Sequence, residues 1–164
     1  MLGLDGNLFV DVVNDDVIDL TDLGSADDLT DIVIHSGGGD DEVILIGLDV
    51  WNSVEVKTGL GNNRVFAGSD IVGNDLTIKM GNGEDLATLL GIDVGNNVDI
   101  KTGQGDDKVE VFPFPVGDFP FEIIGIRAGN DIKIDGKQGD DELSGVSDID
   151  AGNELEIKNF ESIL

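Results

Sequence analysis

With 164 residues, 35 acidic side chains against 9 lysines and arginines and a formal net charge of −26, the chain reads as one strongly acidic domain. A field of that sign repels nucleic acid and anionic membrane surfaces, so neither is an expected partner. Apolar residues make up 40% of the sequence, too many for a disordered polyanion, and the absence of cysteine excludes disulfides, thiol catalysis and Cys-ligated zinc.

In chain order, residues 1–30 fit no repeat and read as an N-terminal cap and degenerate first coil. No basic-then-apolar leader is expected from the opening residues, and no apolar run is long enough to span a bilayer. From there a motif recurs: IHSGGGDDEV from Ile34, VKTGLGNNRV from Val56, IKMGNGEDLA from Ile78 and IKTGQGDDKV from Ile100. The starts at 34, 56, 78 and 100 are 22 residues apart. A fifth copy, IDGKQGDDEL, begins at Ile134, and a degenerate half-copy, GNELEIKNF, begins at Gly152. The extra length before the fifth copy is a Phe/Pro-rich loop insertion at 111–122, set within β-solenoid repeats spanning 31–164.

Aligned copies give columns. One reads Ile34, Val56, Ile78, Ile100, Ile134 and Ile157; another reads Ile32, Val54, Leu76, Val98, Ile132 and Leu155; a third reads Val43, Val65, Ala87, Val109 and Leu143. Branched apolar residues at one phase of every copy, with polar residues between, predict period-2 strands stacked in register. The fold expected is all-β: a parallel β-helix, or β-solenoid, of about five to six coils with a period of about 22 residues and two glycine-marked corners. At the second corner stand Asn52, Asn74, Asn96, Asn130 and Asn153, four of them after a glycine. Gly-Asn suits a left-handed backbone, and stacked amides can bond from coil to coil, so this column is expected to be a structural asparagine ladder.

The first corner carries acids. After Gly-x-Gly one position holds Asp40, Asn62, Glu84, Asp106 and Asp140, and the next holds Asp41, Asn63, Asp85, Asp107 and Asp141. Stacked about 5 Å apart, like charges repel by roughly 1 kcal/mol in water and by several times that at lower dielectric. Two acidic columns therefore oppose folding unless something positive lies between them, or unless they are only a solvated turn surface. Only Asn62-Asn63 interrupts them.

The run Gly103-Gln-Gly105-Asp-Asp107-Lys-Val109, with Gly37 to Val43 and Gly81 to Ala87, resembles the RTX, or haemolysin-type, calcium-binding repeat G-G-x-G-x-D-x-U-x. In its mixture of turns the pattern is closest to bacterial GDD-V repeat surface proteins. The resemblance implies Ca²⁺ between coils, with Asp41, Asp85, Asp107 and Asp141 as ligands, helped by Asp40, Glu84, Asp106 and Asp140. The chain departs from the family in its longer coil, in carrying the signature at one corner, in Asn62-Asn63-Arg64, and in Lys137 at the place of a glycine.

Just after the isoleucine column lie His35, Lys57, Lys79, Lys101, Asp135 and Lys158, which read as a solvated, ion-paired face with His35 a substitute for lysine. The insertion holds all 3 prolines and Phe112, Phe114, Phe119 and Phe121, four of the 7 phenylalanines. Proline cannot continue the ladder, so the segment loops out as a candidate interaction patch or folds back as a local cover. With 1 histidine, no tyrosine and no cysteine, no catalytic residues are expected and the chain reads as no enzyme. The function expected is an extracellular or cell-surface, secreted bacterial solenoid. By the resemblance it is expected to be stabilised by calcium and to associate with itself, end to end or laterally, or with other cell-surface components in a fibre, surface layer or adhesin. The alternatives are a non-catalytic carbohydrate-binding module, which needs a repeated aromatic platform that Trp51 alone does not make, and a small β-helix polysaccharide lyase or epimerase.

Overall fold

Period-2 alternation sends every second side chain to one side of a strand, and here that side is always the interior of a coil. The computed structural model describes residues 6–12, 16–21, 29–116 and 122–164. They form a parallel β-solenoid of about 6 turns. On the first face lie Gly6–Asp11, Leu29–His35, Ser53–Lys57, Leu76–Lys79, Val98–Gln104, Ile132–Gln138 and Leu155–Lys158, each bonded to the next. On the second lie Val17–Thr21, Glu42–Ile46, Arg64–Gly68, Leu86–Leu90, Lys108–Phe112, Glu142–Ser144 and Ser162–Ile163. Of the cap and degenerate coil expected over 1–30, residues 1–5, 13–15 and 22–28 lie outside the described residues; Gly6–Asp11 and Val17–Thr21 add one strand to each of the two faces.

The columns pair in the register that the repeat requires. Ile34 meets Val56, Val56 meets Ile78, Ile78 meets Ile100, and the series runs on through Ile134 to Ile157. From Ile34 to Ile134 these residues are at most 1% exposed. Burying one such side chain is worth about 1.5–3 kcal/mol. A single coil turns six of them inward (Ile32, Ile34, Val43, Leu45, Leu48 and Val50), so stacking coil on coil is what stabilises each one.

Three findings differ from the expectations. First, each coil has three faces rather than two corners. A third sheet of Asp49–Val50, Ile71–Val72, Ile92–Val94, Ile126–Ala128 and Ile149–Ala151 closes the triangle. The chain reaches it through a left-handed residue at Gly47, Ser69 and Gly91 (φ 68°, 56° and 63°). Strands of two or three residues are too short to show alternation in the sequence.

Second, the Gly-Asn corner is not left-handed at its glycines. What requires glycine there is close approach: a Cβ on Gly95 would stand 2.2 Å from Gly73 O, and one on Gly129 would stand 2.3 Å from Gly95 O. Of these two corners it is the Gly-x-Gly one that has left-handed glycines, as at Gly103 and Gly105 with φ 119° and 133°. Even Lys137, in the place of a glycine, holds φ 72°.

Third, the insertion is more than a loop. Phe114–Val116 pairs antiparallel with Glu122–Ile124, with Pro115 opposite Ile123. Proline is tolerated because this two-stranded ribbon stands apart from the parallel ladders, where every backbone donor is needed.

Candidate functional site

The Gly-x-Gly corner turns the chain from the first face to the second. The turn residues bond rung to rung, Gly61 N to Asn82 O at 2.8 Å and Gly83 N to Gln104 O at 2.8 Å. Immediately after each turn the two polar columns diverge. Asp40, Asn62, Glu84, Asp106 and Asp140 are exposed, whereas Asp41, Asn63, Asp85, Asp107 and Asp141 are buried, none more than 2% accessible.

Both columns accept backbone N–H groups from the neighbouring coil, in opposite directions. In the inner column each side chain accepts from the coil before it. Asp41 N–H donates to Asn63 Oδ1 (3.0 Å), Asn63 N–H to Asp85 Oδ1 (2.7 Å), Asp85 N–H to Asp107 Oδ1 (2.8 Å) and Asp107 N–H to Asp141 Oδ1 (2.9 Å). Asp16 N–H, donating to Asp41 Oδ1, extends the series at one end, and Asp141 N–H, donating to Glu161 Oε2, extends it at the other. In the outer column the direction reverses, with Asn62 N–H donating to Asp40 Oδ1 (2.7 Å), Glu84 N–H to Asn62 Oδ1 (2.8 Å) and Asp140 N–H to Asp106 Oδ1 (3.0 Å).

One carboxylate oxygen of each inner aspartate is thus satisfied and the other is not. Oδ2 of Asp41, Asp85, Asp107 and Asp141 is buried without a hydrogen-bond partner. A buried, unpaired anion oxygen is costly, so the neutral form gains. Burial pushes Asp85 up to about 6, with the Asp107 carboxylate adding to the rise and the bond from Asn63 opposing it. Burial likewise pushes Asp141 up to about 6, with Asp107, Glu161 and Asp106 contributing repulsion. Asp107 is raised for the same reason, tempered by the N–H of Asp85 and the nearby Thr102 hydroxyl, which itself donates to Gly136 O.

These oxygens are the feature of the site that fits a cation: a row of hard anionic donors beside a turn rich in carbonyl groups. Among the described residues no three acidic or histidine side chains converge on one point, so any cation here takes part of its oxygen set from the backbone. The outer members Asp40 and Glu84 lie with Glu42, Asn62 and Arg64 along a shallow groove that Asp41 also borders.

The asparagine corner is organised differently. Backbone groups form the ladder, Asn74 N–H to Asn52 O, Asn96 N–H to Asn74 O, Asn130 N–H to Asn96 O and Asn153 N–H to Asn130 O, all at 2.7–2.8 Å. The amides do not stack on one another as expected. Asn52 Nδ2 donates to Asp31, Asn74 and Asn96 to Asp75, Asn130 to Asn97 and Asn153 to Asp131. Asp31, Asp75 and Asp131 in the adjacent column draw four of these amides aside because a carboxylate is the stronger acceptor, while Asn130 turns to the amide oxygen of Asn97 in that same column.

On the first face His35, Lys57, Lys79, Lys101, Asp135 and Lys158 stand in register. Lys57 pairs with Glu55 at 2.8 Å, Lys101 pairs with Asp99, and Lys158 pairs with Glu156 at 2.5 Å. Of the aromatic patch, Phe112 and Phe114 are 46% and 40% exposed, while Phe119 and Phe121 lie outside the described residues. Phe112 extends an outward column of Ile46, Gly68 and Leu90 on the second face.

One group escaped the sequence reading. Asp70 is buried in the third-face column between Leu48 and Ile92, beside a small internal cavity. Its Oδ1 accepts Leu48 N–H at 2.8 Å, and burial pushes its carboxyl up to about 7. The signal was there, since Leu48, Asp70 and Ile92 are also 22 apart, but a two-residue strand hides the column.

Compared with known proteins, the chain matches no family model, no curated protein and no solved structure.

Proposed function

We propose that this is an extracellular structural solenoid of the RTX-like, calcium-stabilised kind, acting as a rod in a surface layer, fibre or adhesin rather than as an enzyme. One observation carries the reading: four buried carboxylate oxygens in a single column, each without a hydrogen-bond partner. Calcium takes six to eight oxygen ligands at flexible geometry, and carboxylates with turn carbonyls are such a set. Asp41, Asp85, Asp107 and Asp141 are the inner ligands, and Asp40, Glu84, Asp106 and Asp140 flank them on the solvent side. When bound, the ion supplies the positive charge that an inward row of carboxylates lacks.

The net charge of −26 makes the same ion a folding signal. Where calcium is scarce, repulsion favours the extended chain; at extracellular levels, binding energy becomes folding energy. The absence of cysteine accords with a fold that draws its constraint from metal rather than disulfides. Further coils, from this chain or another, are the natural partners of strand edges, and the exposed Phe112 and Phe114 offer a lateral contact.

Equilibrium dialysis with calcium tests the reading, with magnesium as the control because it dehydrates reluctantly and demands a stricter octahedron. Saturable calcium binding is expected in the wild type, weakened in Asp107→Ala and not matched by magnesium. Binding that is absent, or equal for the two ions, contradicts it.

A further inference from the structure

The inner column has one member that is not an acid, and its contacts differ from the rest in a single atom. Asn63 uses Oδ1 as its neighbours do, accepting Asp41 N–H. Its second branch is Nδ2, which donates to Gly61 O at 2.8 Å and to Asp85 Oδ1 at 3.1 Å. In the aspartates that branch is Oδ2, the oxygen left without a partner. Asn63 is 0% exposed, so the amide is not a surface substitution but a core member of the column.

We propose that Asn63 stands in for a bound cation, its amide N–H groups making from within the chain the two contacts that a positive ion makes at the aspartate rungs. The inference rests on the calcium reading above and adds to it a division of the column. The second turn is held by hydrogen bonds from the Asn63 amide and needs no ion. The rungs of Asp41, Asp85, Asp107 and Asp141 need one, because there an oxygen faces the place where Asn63 presents a donor.

The geometry of the two ends of the Asn63 amide supports this division. Asp85 Oδ1 accepts both the backbone and the side-chain N–H of Asn63, so that oxygen is doubly satisfied with no outside help. Asp107 Oδ1 and Asp141 Oδ1 each accept a backbone N–H, with no amide in the column beside them. The turn at Asn63 thus has its second branch bonded within the chain, and the aspartate turns on either side order against it once calcium arrives.

The experiment compares melting temperatures of the full chain in EGTA and in calcium for the wild type, Asn63→Asp and Asp85→Asn/Asp107→Asn, with bound calcium measured by dialysis. Asn63→Asp should melt about 5 °C lower in EGTA, recover in calcium and bind more of it than the wild type. The double variant should melt about 5 °C or more above the wild type in EGTA, gain little from calcium and bind less. If the wild type responds to calcium but both variants respond to the same extent as it does, the amide is not a surrogate and this inference falls alone. If the wild type itself ignores calcium, the functional reading falls and takes this one with it. A double variant destabilised equally in both buffers also overturns the inference, because neutral amides then fail to do what the cation does.

Discussion

The two glycine-marked corners of each coil solve one problem in two ways. Both must turn the chain, stack a polar column on itself and leave no buried group unpaired. At the Gly-Asn corner a neutral amide sits beside an acid, and the pairs satisfy each other: Asp75 alone accepts from the side chains of Asn74, Asn96 and Asn97. At the Gly-x-Gly corner acid follows acid, and four oxygens remain unmatched. The first corner is complete within the polypeptide. On the proposal made above the second is completed by a cation from outside, and Asn63 marks the place where the chain supplies the donor itself.

Breaking the turns gives the largest effects. Gly105→Ala places a Cβ 1.7 Å from Gly83 O at φ 133°, combining strain with collision. A loss of about 4 kcal/mol is expected in urea unfolding, large enough that calcium does not restore the wild-type midpoint. Gly95→Ala at the other corner meets Gly73 O at 2.2 Å without the left-handed backbone, and should cost about 3 kcal/mol.

Acidity separates the corners next. In the metal-free protein Asp85 and Asp141 titrate at about 6 when folded, against an ordinary carboxyl near 4 when unfolded. Between those values the unfolded chain ionises first. Stability is therefore highest near the lower value, falls as pH rises to about 6, and is flat with respect to these groups above it, a change of order 2 kcal/mol per group. Melting in EGTA should accordingly occur at a higher temperature at pH 5 than at pH 7.5. In saturating calcium the order should flatten or reverse, since the ion requires the ionised form. Asp70, raised to about 7, adds a loss centred higher on the pH scale. Asp70→Asn keeps an acceptor for Leu48 N–H and should raise the melting temperature at pH 8 by a few degrees while changing little at pH 5.

Asp75→Ala sharpens the comparison from the other side. It strips acceptors from Asn96 and Asn97 and should cost about 1–2 kcal/mol, equally in EGTA and in calcium. Smallest of all is Glu55→Gln on the first face, where the pair with Lys57 is solvent-accessible; a change below about 0.5 kcal/mol, fading with salt, is expected in the same assay.

The fold was legible because a parallel ladder repeats its demands at fixed spacing. Ile34, Val56, Ile78 and Ile100 can share a register only if they share a phase, and the sequence displays that phase directly. The third face was not legible, because Asp49–Val50 and Ile71–Val72 are too short to alternate and Asp70 breaks their apolar column. The Gly-Asn corner was misjudged in mechanism: composition says that glycine is needed, but whether for dihedral freedom or for the approach of Gly73 O to Gly95 depends on the distance between coils. Asn63 shows the same limit at the site. In the sequence it interrupts a row of acids, while in the fold it continues their hydrogen bonding and completes it.

The central claim is that the inner aspartate column needs a cation. A thermal melt followed by far-UV circular dichroism, at neutral pH in calcium, in EGTA and in magnesium, tests it most directly. The account predicts that the strand signal and melting temperature rise steeply with calcium and not with magnesium. A protein equally folded and equally stable in EGTA would contradict it, and would leave Asp41, Asp85, Asp107 and Asp141 as buried acids that need no cation.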